Sequence, residues 1–132
     1  MISSKLRNSG VLVMLGAIPG VIIRYLLGAY IPHFFNLPIG TLVANVLGSF
    51  ILGMIVTMFR IGVTNSEFLT MIGIGFCGSL TTMSTFAFES VNLIDNQSFI
   101  LFLTNISVTL LLVFVGAYIG RILAVYTYMS DE

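Results

Sequence analysis

Charge is what this chain has least of. Only 8% of its 132 residues are Asp, Glu, Lys or Arg, where a soluble domain carries about 25%. That deficit excludes a soluble globular protein, and the mean hydropathy of +1.10 agrees. Five basic and five acidic residues leave no net charge, so the composition selects neither nucleic acid nor an acidic partner. A single cysteine, Cys77, excludes an internal disulfide. No His or Cys follows it at metal-ligand spacing, and it reads as a small buried apolar residue. No His/Cys/Asp/Glu cluster is available for catalysis, so an enzyme is not expected.

What the chain does have is four apolar segments, at 11–31, 39–59, 67–93 and 99–126. Each is near the roughly 20 residues that cross a bilayer as a helix. The connections at 32–38, 60–66 and 94–98 are short and polar or Pro-bearing, and leave no room for a soluble domain. Lys5 and Arg7 precede the first segment as in a signal peptide. That segment is too long for a typical h-region, and no small-residue cleavage site follows it. The expectation is an all-α membrane protein, one domain over 1–132, built as a four-helix bundle.

The third segment is unlike the others. Residues 75–89 read GFCGSLTTMSTFAFE, with Ser79, Thr81, Thr82, Ser84 and Thr85 behind Gly75 and Gly78. Unsatisfied polar groups are costly in hydrocarbon. Such backbone is tolerated at that depth where it is buried in protein or lines a wet path. The run is therefore expected to be the working part of a channel or transporter. Residues 73–78 also match G-x-G-x-x-G, but the strand and βαβ unit of a dinucleotide site are missing. These glycines fit close helix contact or a backbone break better.

Other polar residues in the segments have two readings each. The amide of Asn45 either bonds a neighbouring helix or points an NH2 donor at an ion path; the hydroxyl cluster favours the second. Arg24 is an interfacial anchor or a fixed positive charge in a vestibule. Glu89 is a hydrogen-bonding partner or part of a permeation path. Asn105 and Thr109 share one helix face, which suits helix association as well as a pore lining. Met83 and Phe86, three apart, suit core packing, although the positive edge of an aromatic ring can contact a small anion. His33 is expected to be solvated in its loop. Gly16-x-x-x-Gly20 and Gly116-x-x-x-Gly120 permit close backbone approach.

Together, the runs 16–25 (GAIPGVIIRY), 40–53 (GTLVANVLGSFILG) and 75–89 resemble the Fluc (CrcB) family of fluoride channels. The resemblance implies a fluoride-selective channel that exports cytoplasmic fluoride passively across the cell membrane. It implies an antiparallel, dual-topology dimer of four-helix subunits with two pores, the third helix broken at its centre. The carbonyls of Gly78 and Thr81 would hold a structural Na⁺ at the dimer interface. Asn45, Met83, Ser84, Thr85, Phe86, Asn105 and Thr109 would line the fluoride pore, and Arg24 and Glu89 its vestibule. Two positions depart from the family pattern. Ser79 stands where a second Gly is usual, and Met83 where Phe is usual, so the motif reads TTMSTF. Met can fill the space of a Phe but lacks its ring edge, which bears on the family's two-ring arrangement.

The physics is compatible. Fluoride is strongly hydrated, and Asn amides, hydroxyls and ring edges can replace its water without the tight hold of a lysine; conduction needs weak, multiple sites. One competing reading is a small proton-coupled multidrug-type exporter, which needs a carboxylate in mid-membrane. The first segment has none, and Glu89 lies toward the end of the third. The other is a non-transporting membrane accessory protein. Orientation signals are mixed. Lys5, Arg7, Arg60 and Arg121 fall on the side of the termini and the opposite loops carry no Lys or Arg, which favours cytoplasmic termini. Arg24 offsets this in part. With so little charge a dual-topology homodimer is expected, the alternative being a hetero-pair with a related, oppositely biased subunit.

Overall fold

The computed structural model describes residues 2–33, 36–95 and 98–129, without the side chains of 2–7 and 129. The Lys5 and Arg7 side chains and the polar tail of Ser130, Asp131 and Glu132 lie outside the described residues. The helices are α1 (Ile2–Tyr30), α2 (Ile39–Arg60), α3 (residues 66–80), α4 (Met83–Asp95) and α5 (Phe99–Met129). By length and apolar composition they form four candidate membrane spans: Asn8–Tyr30, Ile39–Arg60, Ser66–Asp95 and Phe99–Tyr128. Even the 22-residue span is about 33 Å long at 1.5 Å per residue, enough for a hydrocarbon core of about 30 Å. This is a multi-pass membrane protein.

Three of the expected bounds shift. α1 begins at Ile2, well ahead of the apolar run, because hydropathy marks the greasy stretch and polar residues continue a helix beyond it. α5 likewise runs on to Met129. The third span is longer than 67–93 and is two helices, α3 and α4, with Thr81 and Thr82 outside both.

α3 opens on a cap: the Phe68 amide donates to the Asn65 side chain at 2.8 Å, satisfying one orphan donor of the first turn. It then widens into π-helical turns over Leu69–Cys77. This stretch is pressed against α1, where two glycines meet. A Cβ on Gly16 would collide with the Met71 carbonyl, and one on Gly75 would lie 2.6 Å from the Val13 carbonyl oxygen. All these atoms are backbone, so the crossing holds only while both positions lack a side chain. α5 lies along α2 by the same device, with Gly120 against the Phe50 carbonyl. Both small-xxx-small patterns of the sequence therefore sit at helix crossings. Cys77 and Leu80 are fully buried beneath the break, the environment expected for Cys77.

Candidate functional site

The break in the third span is built by side chains that take over backbone partners. Thr81 is extended, at φ −77° and ψ 151°, which carries the chain out of the helix. Thr82 then caps α4, its Oγ1 accepting from the Thr85 amide at 3.2 Å. The Thr82 amide donates to Asn45 Oδ1 at 2.7 Å. Asn45 Nδ2 donates back to the Thr82 carbonyl at 3.2 Å. One buried amide on α2 thus satisfies both backbone groups of Thr82. The interhelical reading of Asn45 is realised, and since an amide carries two N–H donors, one is left beyond this clamp.

These substitutions free two carbonyls. In a continuous helix the Gly78 carbonyl would accept from the Thr82 amide, and the Thr81 carbonyl from the Thr85 amide. Those amides go to Asn45 and to the Thr82 hydroxyl instead. Gly78 is exposed, with nothing within 4 Å of where a Cβ would stand. Ser79, at the position where the resembling family has Gly, is tied to α1: its hydroxyl lies 3.1 Å from the Ala17 carbonyl oxygen and 3.0 Å from that of Phe76. It fits because Gly20 faces it without a side chain.

Beyond the break the hydroxyls form a cluster. Thr82 Oγ1 donates to Thr85 Oγ1 at 3.1 Å and lies 3.2 Å from Ser84 Oγ. Further along α4, the Thr41 hydroxyl donates to Glu89 Oε1 at 2.8 Å. The other oxygen, Oε2, is buried with no hydrogen-bond partner. Ser90 Oγ donates to the Phe86 carbonyl at 2.7 Å and accepts from Asn105 Nδ2 at 3.0 Å. Thr109, one turn further along α5, is buried as well.

The expected site residues are therefore only partly brought together. Asn45 meets the break, and Phe86 and Asn105 share Ser90. Met83 is 71% exposed, whereas Phe86 is 6% exposed, so of the two only Phe86 is packed into the core of the single chain. Arg24, Thr41, Thr82, Thr85 and Glu89 line one open cavity of about 420 Å³. A second, of about 510 Å³, is bordered by His33, Asn36, Glu89 and Asn92. Glu89 stands on both, and His33, expected only to be solvated, is exposed at the wall of the second. Thr41 and Ser90 are additions that the sequence reading missed. The signal was there, since each lies four residues from a chosen residue, Asn45 or Phe86, and so on the same helix face.

Residues 11–121 match the family model described as CrcB-like protein, Camphor Resistance (CrcB). The chain belongs to the CrcB family. Its CrcB relatives include proteins named "Fluoride-specific ion channel FluC". One from Methanococcus aeolicus is 39% identical over 110 residues, covering 83% of this chain and 89% of the relative. One from Methanocaldococcus jannaschii is 40% identical over 113 residues, covering 86% and 91%. One from Shewanella sediminis is 36% identical over 116 residues, covering 86% and 94%. The CrcB match takes in the break, Asn45 and every other expected site residue.

Proposed function

We propose that this protein is a fluoride-selective channel of the cell membrane, through which cytoplasmic fluoride leaves passively down its electrochemical gradient. It is a channel and not an enzyme. The observation that carries the reading is the break at Thr81 and Thr82, clamped by Asn45 and surrounded by hydroxyls, in a chain of the CrcB family whose relatives are named fluoride-specific channels. A dehydrating fluoride needs donors, and the Asn45 N–H left beyond the clamp and the Thr85 hydroxyl are free to supply them at low cost of release. Arg24 and Glu89 border the vestibule, where the guanidinium raises the local anion concentration and the Thr41 bond holds the carboxylate to one side. Asn45, Ser84, Thr85, Phe86, Asn105 and Thr109 line the pore in this reading, with Met83 supplying the wall where a ring is usual.

The pore is completed by a second copy packed antiparallel. Supporting this are the exposed Met83 and the exposed Gly78, both on the third span and both without a neighbour to cover them in one chain. The two freed carbonyls, of Gly78 and Thr81, suit a hard cation bound by oxygen, and a structural Na⁺ between the copies would neutralise their partial charges there. Homodimer and hetero-pair differ in a simple readout. A cysteine placed at one terminus of the homodimer is labelled from both faces of the membrane, and strictly one-sided labelling of a chain that conducts alone would refute the antiparallel arrangement.

Liposomes carrying the purified protein test the activity. They are expected to lose fluoride and retain chloride without ATP or a proton gradient. Equal loss of the two anions, or no loss, overturns the reading.

A further inference from the structure

A second site lies toward the other end of α2, away from the break. Ser49, Leu52, Val56, Thr57, Arg60 and Arg121 line an open groove of about 270 Å³ between α2 and α5. Its walls are apolar along Leu52 and Val56, and at its end stand two arginines. Both are exposed, and among the described residues neither has an acidic partner. Two guanidinium groups beside one groove repel each other, and among the described residues no carboxylate offsets this.

Depth identifies what does. Arg60 is the last residue of α2, a helix about as long as the hydrocarbon core is thick. Arg60 therefore lies at the level of the lipid headgroups. Arg121 lines the same groove one turn on from Ala117, which meets Gly53, and so sits about one turn inside Arg60, a depth from which a long arginine side chain snorkels to the same layer, while α5 continues past it to Met129. The groove thus runs from the headgroup layer into hydrocarbon, charged at the outer end and apolar inward.

We propose that this groove binds an anionic phospholipid, its phosphate held between Arg60 and Arg121 and one acyl chain laid over Leu52 and Val56. Planar guanidinium forks match phosphate oxygens with paired, charge-assisted hydrogen bonds. A basic pocket between membrane helices is a recurring way to hold an acidic headgroup. The acyl chain fills apolar volume that water would occupy at a cost. The proposal is separate from ion conduction, because the groove shares no lining residue with the two cavities that Glu89 borders.

The test uses the full-length protein in a zwitterionic detergent and follows thermal unfolding during titration with dioctanoyl phosphatidylglycerol. Dioctanoyl phosphatidylcholine and sodium phosphate at equal ionic strength are the controls. Phosphatidylglycerol is expected to raise the unfolding temperature, and both controls to leave it unchanged. Arg60→Gln and Arg121→Gln are each expected to weaken the apparent affinity roughly tenfold, the worth of one charge-assisted hydrogen bond. Leu52→Trp, which keeps both charges and obstructs the apolar track, weakens it too. An equal response to phosphatidylcholine overturns the role of charge, and an equal response to free phosphate makes the groove an anion site instead of a lipid site. An undiminished response in the doubly substituted protein places the lipid elsewhere. If the arginine variants do not fold, the three-ligand comparison and Leu52→Trp still decide.

Discussion

The two halves of the third span lie on one line of sequence and are held by opposite means. α3 is apolar through its π-helical turns and meets α1 backbone to backbone, with Gly75 against Val13 and Gly16 against Met71. α4 is held by side-chain hydrogen bonds, from Thr41 on α2 to Glu89 and from Asn105 on α5 to Ser90. Asn45 ties the junction between them. Close-packed backbone has two outcomes, contact or collision, whereas hydrogen bonds can lengthen, exchange and re-form. The first half therefore anchors, and the second can present groups to a moving ion.

The largest expected effect breaks the anchor. Gly75→Val puts a Cβ 2.6 Å from the Val13 carbonyl oxygen and 3.1 Å from the Gly16 Cα. Overpacking costs about 1–3 kcal/mol and at times more; the upper end is expected because only backbone can yield. Monodisperse protein recovered after brief heating in detergent is the measurement, and the variant should lose it well below the parent's temperature. Equal heat resistance would show that α1 gives way easily, and that the anchor is no stiffer than α4.

Next comes the junction. Asn45→Asp replaces the donor facing the Thr82 carbonyl by a carboxylate oxygen, which removes one hydrogen bond worth about 0.5–1.5 kcal/mol and sets two acceptors against each other. The same charge repels an anion at close range. Fluoride efflux measured with an electrode should vanish while some folded protein survives. Efflux at the parent's rate would restrict Asn45 to its clamp.

A smaller effect belongs to the hydrogen-bonded half. Ser90→Ala removes the acceptor of Asn105 Nδ2, an interaction of the kind that averages about 0.6 kcal/mol within membrane bundles. Stability should change little, while efflux falls in part as Asn105 loses its fixed orientation. Unchanged efflux would mean that α4 tolerates the loss of a positioning contact.

The smallest effect is expected at Met83. The side chain is 71% exposed in the single chain, so Met83→Phe meets no resistance from its own subunit. Efflux should equal or exceed the parent's. An inactive but well-folded variant would show that the wall opposite Met83 is shaped for a thioether and not for a ring.

Much of this could be read from the residues in order. Four apolar runs give four spans because hydrocarbon demands about 20 residues of helix with every backbone bond made internally. The Gly and hydroxyl run at 75–89 announces an interruption, because nothing else explains so many polar groups at that depth. Two small-xxx-small patterns mark crossings, since only a missing side chain lets backbones touch. The sequence also placed Asn45 inside a membrane helix, where it must find a partner.

Which partner it finds was decided by the tertiary structure. Asn45 and Thr82 are 37 positions apart, and Thr41 and Glu89 are 48 apart. Spacing along one helix tells which residues share a face, but not how that helix is rotated or shifted against the next. That register follows from the fit of Gly16 to α3, of Gly40 to the Leu27 carbonyl of α1 and of Gly120 to α2, crossings that link α1, α2, α3 and α5. It is why Thr41 and Ser90 join the site, why Phe86 is buried while Met83 is exposed, and why Arg60 and Arg121 come to share a groove.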